Sequence, residues 1–196
     1  MKERPILFSA PMVHALLEGR KAQTRRIVKK LHPDCREMIA HDQTGGLFVC
    51  RDAFSRCVQM LPSPYGRPGD RLWVKETFAP MGDAQSPSSV RYRADREYPQ
   101  VKWKPSIFMP RRASRILLEV VSVRAERLQD ISEADAIAEG IHQPEDCGPE
   151  ERAAENLDYP GHSPQETYRE LFESINGAGS WDANPWVWVI EFRKID

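Results

Sequence analysis

ALLEGRKAQTRR, residues 15 to 26, changes its pattern at its centre. A short apolar helical turn runs into Gly19, and Arg20, Lys21, Thr24, Arg25 and Arg26 follow directly. Glycine after the last apolar residue of a helical period stops a helix, because it alone enters the left-handed cap conformation without a Cβ penalty. Beyond Gly19 the period becomes two. A strand over residues 21–28 puts Lys21, Gln23, Arg25 and Ile27 on one face and Ala22, Thr24, Arg26 and Val28 on the other. Lys21 and Thr24 then face apart unless the strand begins in a bulge or turn that brings them together.

On the N-terminal side of this stretch, residues 4–9 (RPILFS) read as a short strand. Pro11 then opens a helix capped by Ser9 or Ala10, with Met12, Val13, Leu16 and Leu17 as its stripe and His14 at its surface. On the C-terminal side, periodicity weakens over residues 29–64, where Leu47 to Cys50 and Phe54 to Met60 suit an inserted hairpin. Pro68-Gly69-Asp70 is a turn signature, followed by a strand over residues 71–78 (RLWVKETF) with Leu72, Val74, Glu76 and Phe78 on one face.

Residues 79–89 are loop-forming, and residues 90–94 suit a short strand. Val101-Lys102-Trp103-Lys104 interleaves aromatic and basic residues, as a single-stranded nucleic-acid site requires; a lid on the core uses Trp103 equally well. Arg111, Arg112 and Arg115 bring positive charge to the start of the longest strand, whose apolar residues are Ile116, Leu118, Val120, Val121 and Val123.

Ser132 and Asp135 resemble a capping box ahead of a helix with Ala134, Ile137, Ala138 and Ile141 as its stripe and Gly140 as its stop. Glu139 falls in the last turn, where the helix dipole disfavours a carboxylate, and solvation is its plain reading. Residues 144–164 are acidic and aperiodic, an exposed loop. Ser163 and Glu166 then open a helix with Tyr168, Leu171, Phe172 and Ile175 on one side and Gly177 at its end. The last strand, residues 184–192, points Trp186, Trp188, Ile190 and Phe192 one way, with Trp186 open to both a core and a base-stacking reading.

The 196 residues suit one domain with insertions, and 40% hydrophobic residues suffice for a core. Apolar runs fall far short of the roughly 18 residues of a membrane span, and the start lacks a signal peptide's apolar region, so a cytoplasmic protein without a membrane partner is expected. Cys35, Cys50, Cys57 and Cys147 lack paired spacing and are expected as reduced thiols; with His32 and His41 they do not offer the closely spaced ligand pairs of a zinc site. No metal or other cofactor is expected. Net charge is −1, yet residues 1–30 carry eight Lys or Arg against Glu3 and Glu18, while residues 126–175 carry fourteen Asp or Glu against Arg127, Arg152 and Arg169. A basic half beside an acidic half suggests one face for an anion; the plainer alternative is that the halves pair with each other or with water.

Gly19-x-Lys21-x-x-Thr24-x-Arg26 resembles the signature of the ASCH domain, a small β-barrel family similar to the PUA RNA-binding fold, and phage-encoded members in particular look like this chain. The later segments follow in the family's order: Pro68-Gly69-Asp70, the strand from Ile116, the helix from Ser132 and the closing strand. The resemblance implies one α+β domain spanning residues 1–196, a mixed PUA-like β-barrel of about five or six strands with flanking helices. Insertions near 29–64, 79–105 and 144–164 make the chain longer than the small members, and little identity extends outside the signature.

Two chemistries fit the basic stretch. As a binding site, Lys21, Arg25 and Arg26 offer charge-assisted donors to phosphate, with Arg20, Arg111 and Arg112 extending the basic face, Thr24 adding a hydroxyl contact and Trp103 or Trp186 a stacking surface. As a catalytic site, Thr24 is a nucleophile that needs a base, and Lys21 serves only if desolvation or a neighbouring cation lowers its pKa. The resemblance implies which acid completes the set. One branch of the family consists of small amidohydrolases that deacetylate N4-acetylcytidine with a Lys proton acceptor, a Thr nucleophile and a Glu in the helix after the long strand. Carried over, Lys21 is the base, Thr24 the nucleophile and Glu139 the proton donor. The expectations are therefore a monomer that binds RNA or a modified nucleoside, with amide hydrolysis at N4 of cytidine, against a non-catalytic nucleic-acid-binding module or a ribonuclease.

Overall fold

The computed structural model describes residues 1–41, 46–81, 90–95, 100–141 and 163–195. Most of the loop expected over 79–89 and nearly all of the acidic stretch expected over 144–164 lie outside them. The class is α+β, mostly sheet with few helices.

A mixed five-stranded sheet runs in the order β1 (Glu3–Leu7), β6 (Arg71–Lys75), β9 (Leu117–Arg127), β10 (Trp186–Ile195) and β2 (Gln23–Ile27). β1 and β6 are parallel and the other pairs antiparallel. Helix α1 (Ala10–Leu17) connects β1 to β2, while α2 (Glu133–Ala138) and α3 (Pro164–Asn176) lie between β9 and β10. Residues 29–64 supply an antiparallel sheet of β3 (Glu37–Ala40), β4 (Leu47–Arg51) and β5 (Cys57–Pro62). The expected hairpin is β4 with β5. The sequence reading missed β3, whose four residues are too few to show a period. The strand expected over 71–78 divides: β6 ends at Lys75 and Phe78 starts β7 (Phe78–Pro80), which pairs with β8 (Val90–Tyr92). The four residues expected to share a face, Leu72, Val74, Glu76 and Phe78, are all buried.

The main sheet is apolar on both sides because it is covered on both. On one side Ile6, Leu72, Val74, Leu118, Val120, Trp188 and Ile190 pack with Val13 and Leu16 of α1 and with Met38 and Phe48 of the small sheet. On the other, Val187 and Val189 meet Ala136 of α2 and Tyr168 and Phe172 of α3. β9 keeps its core face through a phase change: Glu191 pairs with Ser122 and Phe192 with Val120, so Val121 bulges outward while Val120 and Val123 both point in.

The closed barrel is not what the strand pairing forms. Among the described residues β1 and β2 remain the two edges of the five-stranded sheet. These edges do approach, since an Nη2 of Arg26 on β2 donates to the Leu7 carbonyl of β1 at 2.6 Å. No helix among the described residues is long and apolar enough to cross a membrane.

Two expectations are corrected by the packing. Cys35 and Cys50 are joined in a disulfide with Cα atoms 5.5 Å apart, not held as free thiols, because the β3–β4 pairing brings both into the core. On α2, Ala134 and Ile137 of the expected stripe are exposed, and Ala136, Glu139 and Gly140 form the buried face instead.

Candidate active site

The end of α1 builds the site. Glu18 caps the helix, Gly19 takes φ +78°, and the Lys21 amide donates back to the Ala15 carbonyl at 3.0 Å. Lys21 therefore sits in a turn ahead of β2 rather than in the strand. Ala22 is clasped next, donating to the Ala138 carbonyl and accepting from the Phe192 amide, each at 2.9 Å. This turn satisfies the condition for Lys21 and Thr24 to share a pocket. Both line a cavity of about 160 Å³ at the β1–β2 seam, together with Arg25, Arg26 and Glu139, and with Phe8, Tyr168 and Phe172 as apolar wall.

Glu139 enters from the C-terminal end of α2. Its carboxylate accepts from the Lys21 ammonium at 2.8 Å, and its own backbone carbonyl accepts from the same ammonium at 2.6 Å. The side chains are 1% and 5% exposed, so the pair is shielded from water. Burial pushes the Lys21 pKa below the ordinary lysine value; Glu139 opposes that shift, and the charges of Arg26 and Arg25 add to it. The Lys21 ammonium also lies 5.6 Å from the Phe8 ring centre.

Arg25 holds the other carboxylate oxygen of Glu139 at 3.5 Å and meets Glu126 at 2.6 Å and Asp135 at 3.1 Å. Its side chain has no exposure and faces the Tyr168 ring at 6.0 Å. Burial raises the Tyr168 phenol well above its usual pKa, with the Glu139 charge adding to the rise. Asp135 is held below the usual carboxylate range: desolvation acts against this, and Arg25 leads the interactions that outweigh it. The basic stretch and the described part of the acidic half thus meet inside the molecule.

Five other residues singled out in the sequence lie elsewhere. Arg20 bridges Glu18, at 2.8 Å, and the Gly140 carbonyl, at 3.0 Å. Arg111 pairs with Glu3 at 2.8 Å, and Arg112 occupies the same short 3-10 turn ahead of β9. Trp103 is half-buried beside Lys104, whose backbone pairs with Phe78. Trp186 packs against the main core under the Arg127 guanidinium, 4.8 Å from the ring centre. None of the five lines the cavity. The sequence reading did not find Glu126 and Asp135 as partners of Arg25, because neither spacing nor period links residues a hundred positions apart.

Chemically, the cavity offers a threonine hydroxyl, a desolvated amine and a carboxyl group in contact with that amine. No family model, curated protein or solved structure matches this chain.

Proposed function

We propose that the cavity is the active site of an amidohydrolase that deacetylates N4-acetylcytidine, in a PUA-like fold of the ASCH kind whose barrel is left open at the β1–β2 seam. The observation that carries this reading is the buried Lys21–Glu139 pair in the same cavity as Thr24. With the shared proton on Glu139, the pair presents a neutral amine and a protonated carboxyl, the base and the acid that amide cleavage requires.

In the first half-reaction Lys21 takes the Thr24 hydroxyl proton as the oxygen attacks the acetyl carbon. Glu139 protonates the leaving N4 of cytidine, so an acetyl-threonine ester and cytidine form. In the second half-reaction Glu139, now a carboxylate, takes a proton from the attacking water, Lys21 returns its proton to the departing Thr24 oxygen, and acetic acid leaves to ionise in bulk water. The pair ends as it began. The reading makes the protein a cytoplasmic monomer whose partner is a modified nucleoside or an RNA containing one.

A ribonuclease or a phosphate-gripping module would need free arginines at this seam. Arg25 is committed to three carboxylates, which favours the amidohydrolase. The test is release of cytidine from N4-acetylcytidine by wild type, Lys21→Ala, Thr24→Ala and Glu139→Ala. Turnover by wild type with a loss of about 100-fold or more in each variant is expected. Absence of turnover by the folded wild type overturns the reading for this substrate.

A further inference from the structure

A second cleft of about 330 Å³ adjoins the first cavity, with Ile27 in the wall of both. The hydrolysis described above makes no use of it. Leu61, Pro64 and Tyr65 form its wall on the side of the inserted sheet, and Ile27, Lys29 and Trp188 its wall on the side of the main sheet. Pro64 and Lys29 are exposed and Tyr65 is half-buried. Tyr65 is held by a tight turn: its amide donates to the Ser63 hydroxyl at 3.2 Å, and the Gly66 amide donates to the Ser63 carbonyl at 3.3 Å. The phenol is therefore presented on a fixed backbone rather than a free loop.

Cations stand beside this cleft. Lys29 stands at the wall, and Arg26, which lines the first cavity, is near enough for its charge to act on the Tyr65 phenol. A cleft lined by tyrosine and aliphatic side chains, next to cations, suits a nucleotide, whose base stacks while its phosphate meets ammonium or guanidinium. Thr24 and Ile27 are three residues apart on β2, about 10 Å along an extended strand, so an adjoining nucleotide can reach from one cavity to the other.

We infer that this cleft holds the base next to the reacting cytidine, so that the preferred substrate is single-stranded RNA carrying the acetylated base rather than the free nucleoside. The inference rests on the amidohydrolase reading of the first cavity.

The test compares kcat/KM for N4-acetylcytidine with that for a short single-stranded RNA carrying one internal N4-acetylcytidine, in wild type, Tyr65→Leu and Tyr65→Trp. Wild type should favour the RNA by about 5- to 150-fold, the range a base–aromatic stack supplies. Tyr65→Leu, which keeps apolar bulk, should lower the ratio several-fold, and Tyr65→Trp should restore it. A ratio near one in wild type, or a ratio unmoved by Tyr65→Leu, overturns the inference while leaving the amidohydrolase intact. If neither substrate turns over, the amidohydrolase reading fails, and fluorescence anisotropy of the same RNA decides the cleft alone. Binding that weakens with Tyr65→Leu and recovers with Tyr65→Trp supports the cleft as a base site; no binding, or equal binding by all three proteins, overturns it.

Discussion

At the residue scale, the outcome turns on Glu139. Its sequence position at a helix end reads as solvated, because nothing local requires otherwise, yet it is buried between Lys21 and Arg25. Two buried charges persist only when paired, and removing one partner of such a pair costs about 3–5 kcal/mol. The same burial sets the pH response. Since the folded Lys21 pKa lies below the unfolded value of about 10.4, the unfolded chain binds more protons between the two. The contribution of Lys21 to stability is thus complete above that unfolded value and is lost as pH falls through the lowered one. Catalysis runs the other way, because the proton lost as pH rises is the one the pair must hand to the leaving N4. The pH profile of kcat/KM for N4-acetylcytidine should fall on its alkaline side along a limb centred below 10.4, and Lys21→Arg should abolish turnover throughout. A limb centred at the ordinary lysine value would contradict the assigned base.

At the scale of elements, α2 is placed by the glycine that ends it. Gly140 has φ +85°, and a Cβ there would lie 2.8 Å from both the Ala15 and the Lys21 Cβ atoms. The backbone after Glu139 can approach the end of α1 this closely only without a side chain, which is what lets the carboxylate reach Lys21. Gly140→Ala should destabilise the fold by about 2–5 kcal/mol, adding left-handed strain to overpacking, and should lower turnover by displacing Glu139. Gly177 caps α3 at φ +98° with open space around its Cβ position, so Gly177→Ala should show strain alone, about 1–2 kcal/mol. Urea unfolding of the two variants against wild type measures the difference. Equal losses would show that the approach of α2 to α1 does not constrain the site.

At the scale of the whole molecule, part of the basic stretch meets the described part of the acidic half inside the fold. Arg25 and Lys21 meet Glu126, Asp135 and Glu139 rather than solvent, which leaves Arg26 and Lys29 as the other cations among the described residues that line the seam cavity and its neighbouring cleft. Single-stranded RNA held there through these two should lose affinity with a log–log salt slope of about −1.4, and Lys29→Ala should halve it. A slope several times steeper, read from anisotropy titrations over a range of salt, would place the RNA on a larger basic surface. The extent of what the chain alone reveals follows from the range of each interaction. The turn at Gly19, the cap pair Ser163 and Glu166, and the shared face of Leu72, Val74 and Glu76 are local patterns, and each is visible in a few consecutive residues. The open seam, the Cys35–Cys50 disulfide, the buried side of α2 and the grip of Glu126 and Asp135 on Arg25 depend on segments distant in sequence being packed together. Periodicity tells which residues share a face of one element; which face is covered, and whether a charge found there is paired, is set by desolvation once the elements are assembled.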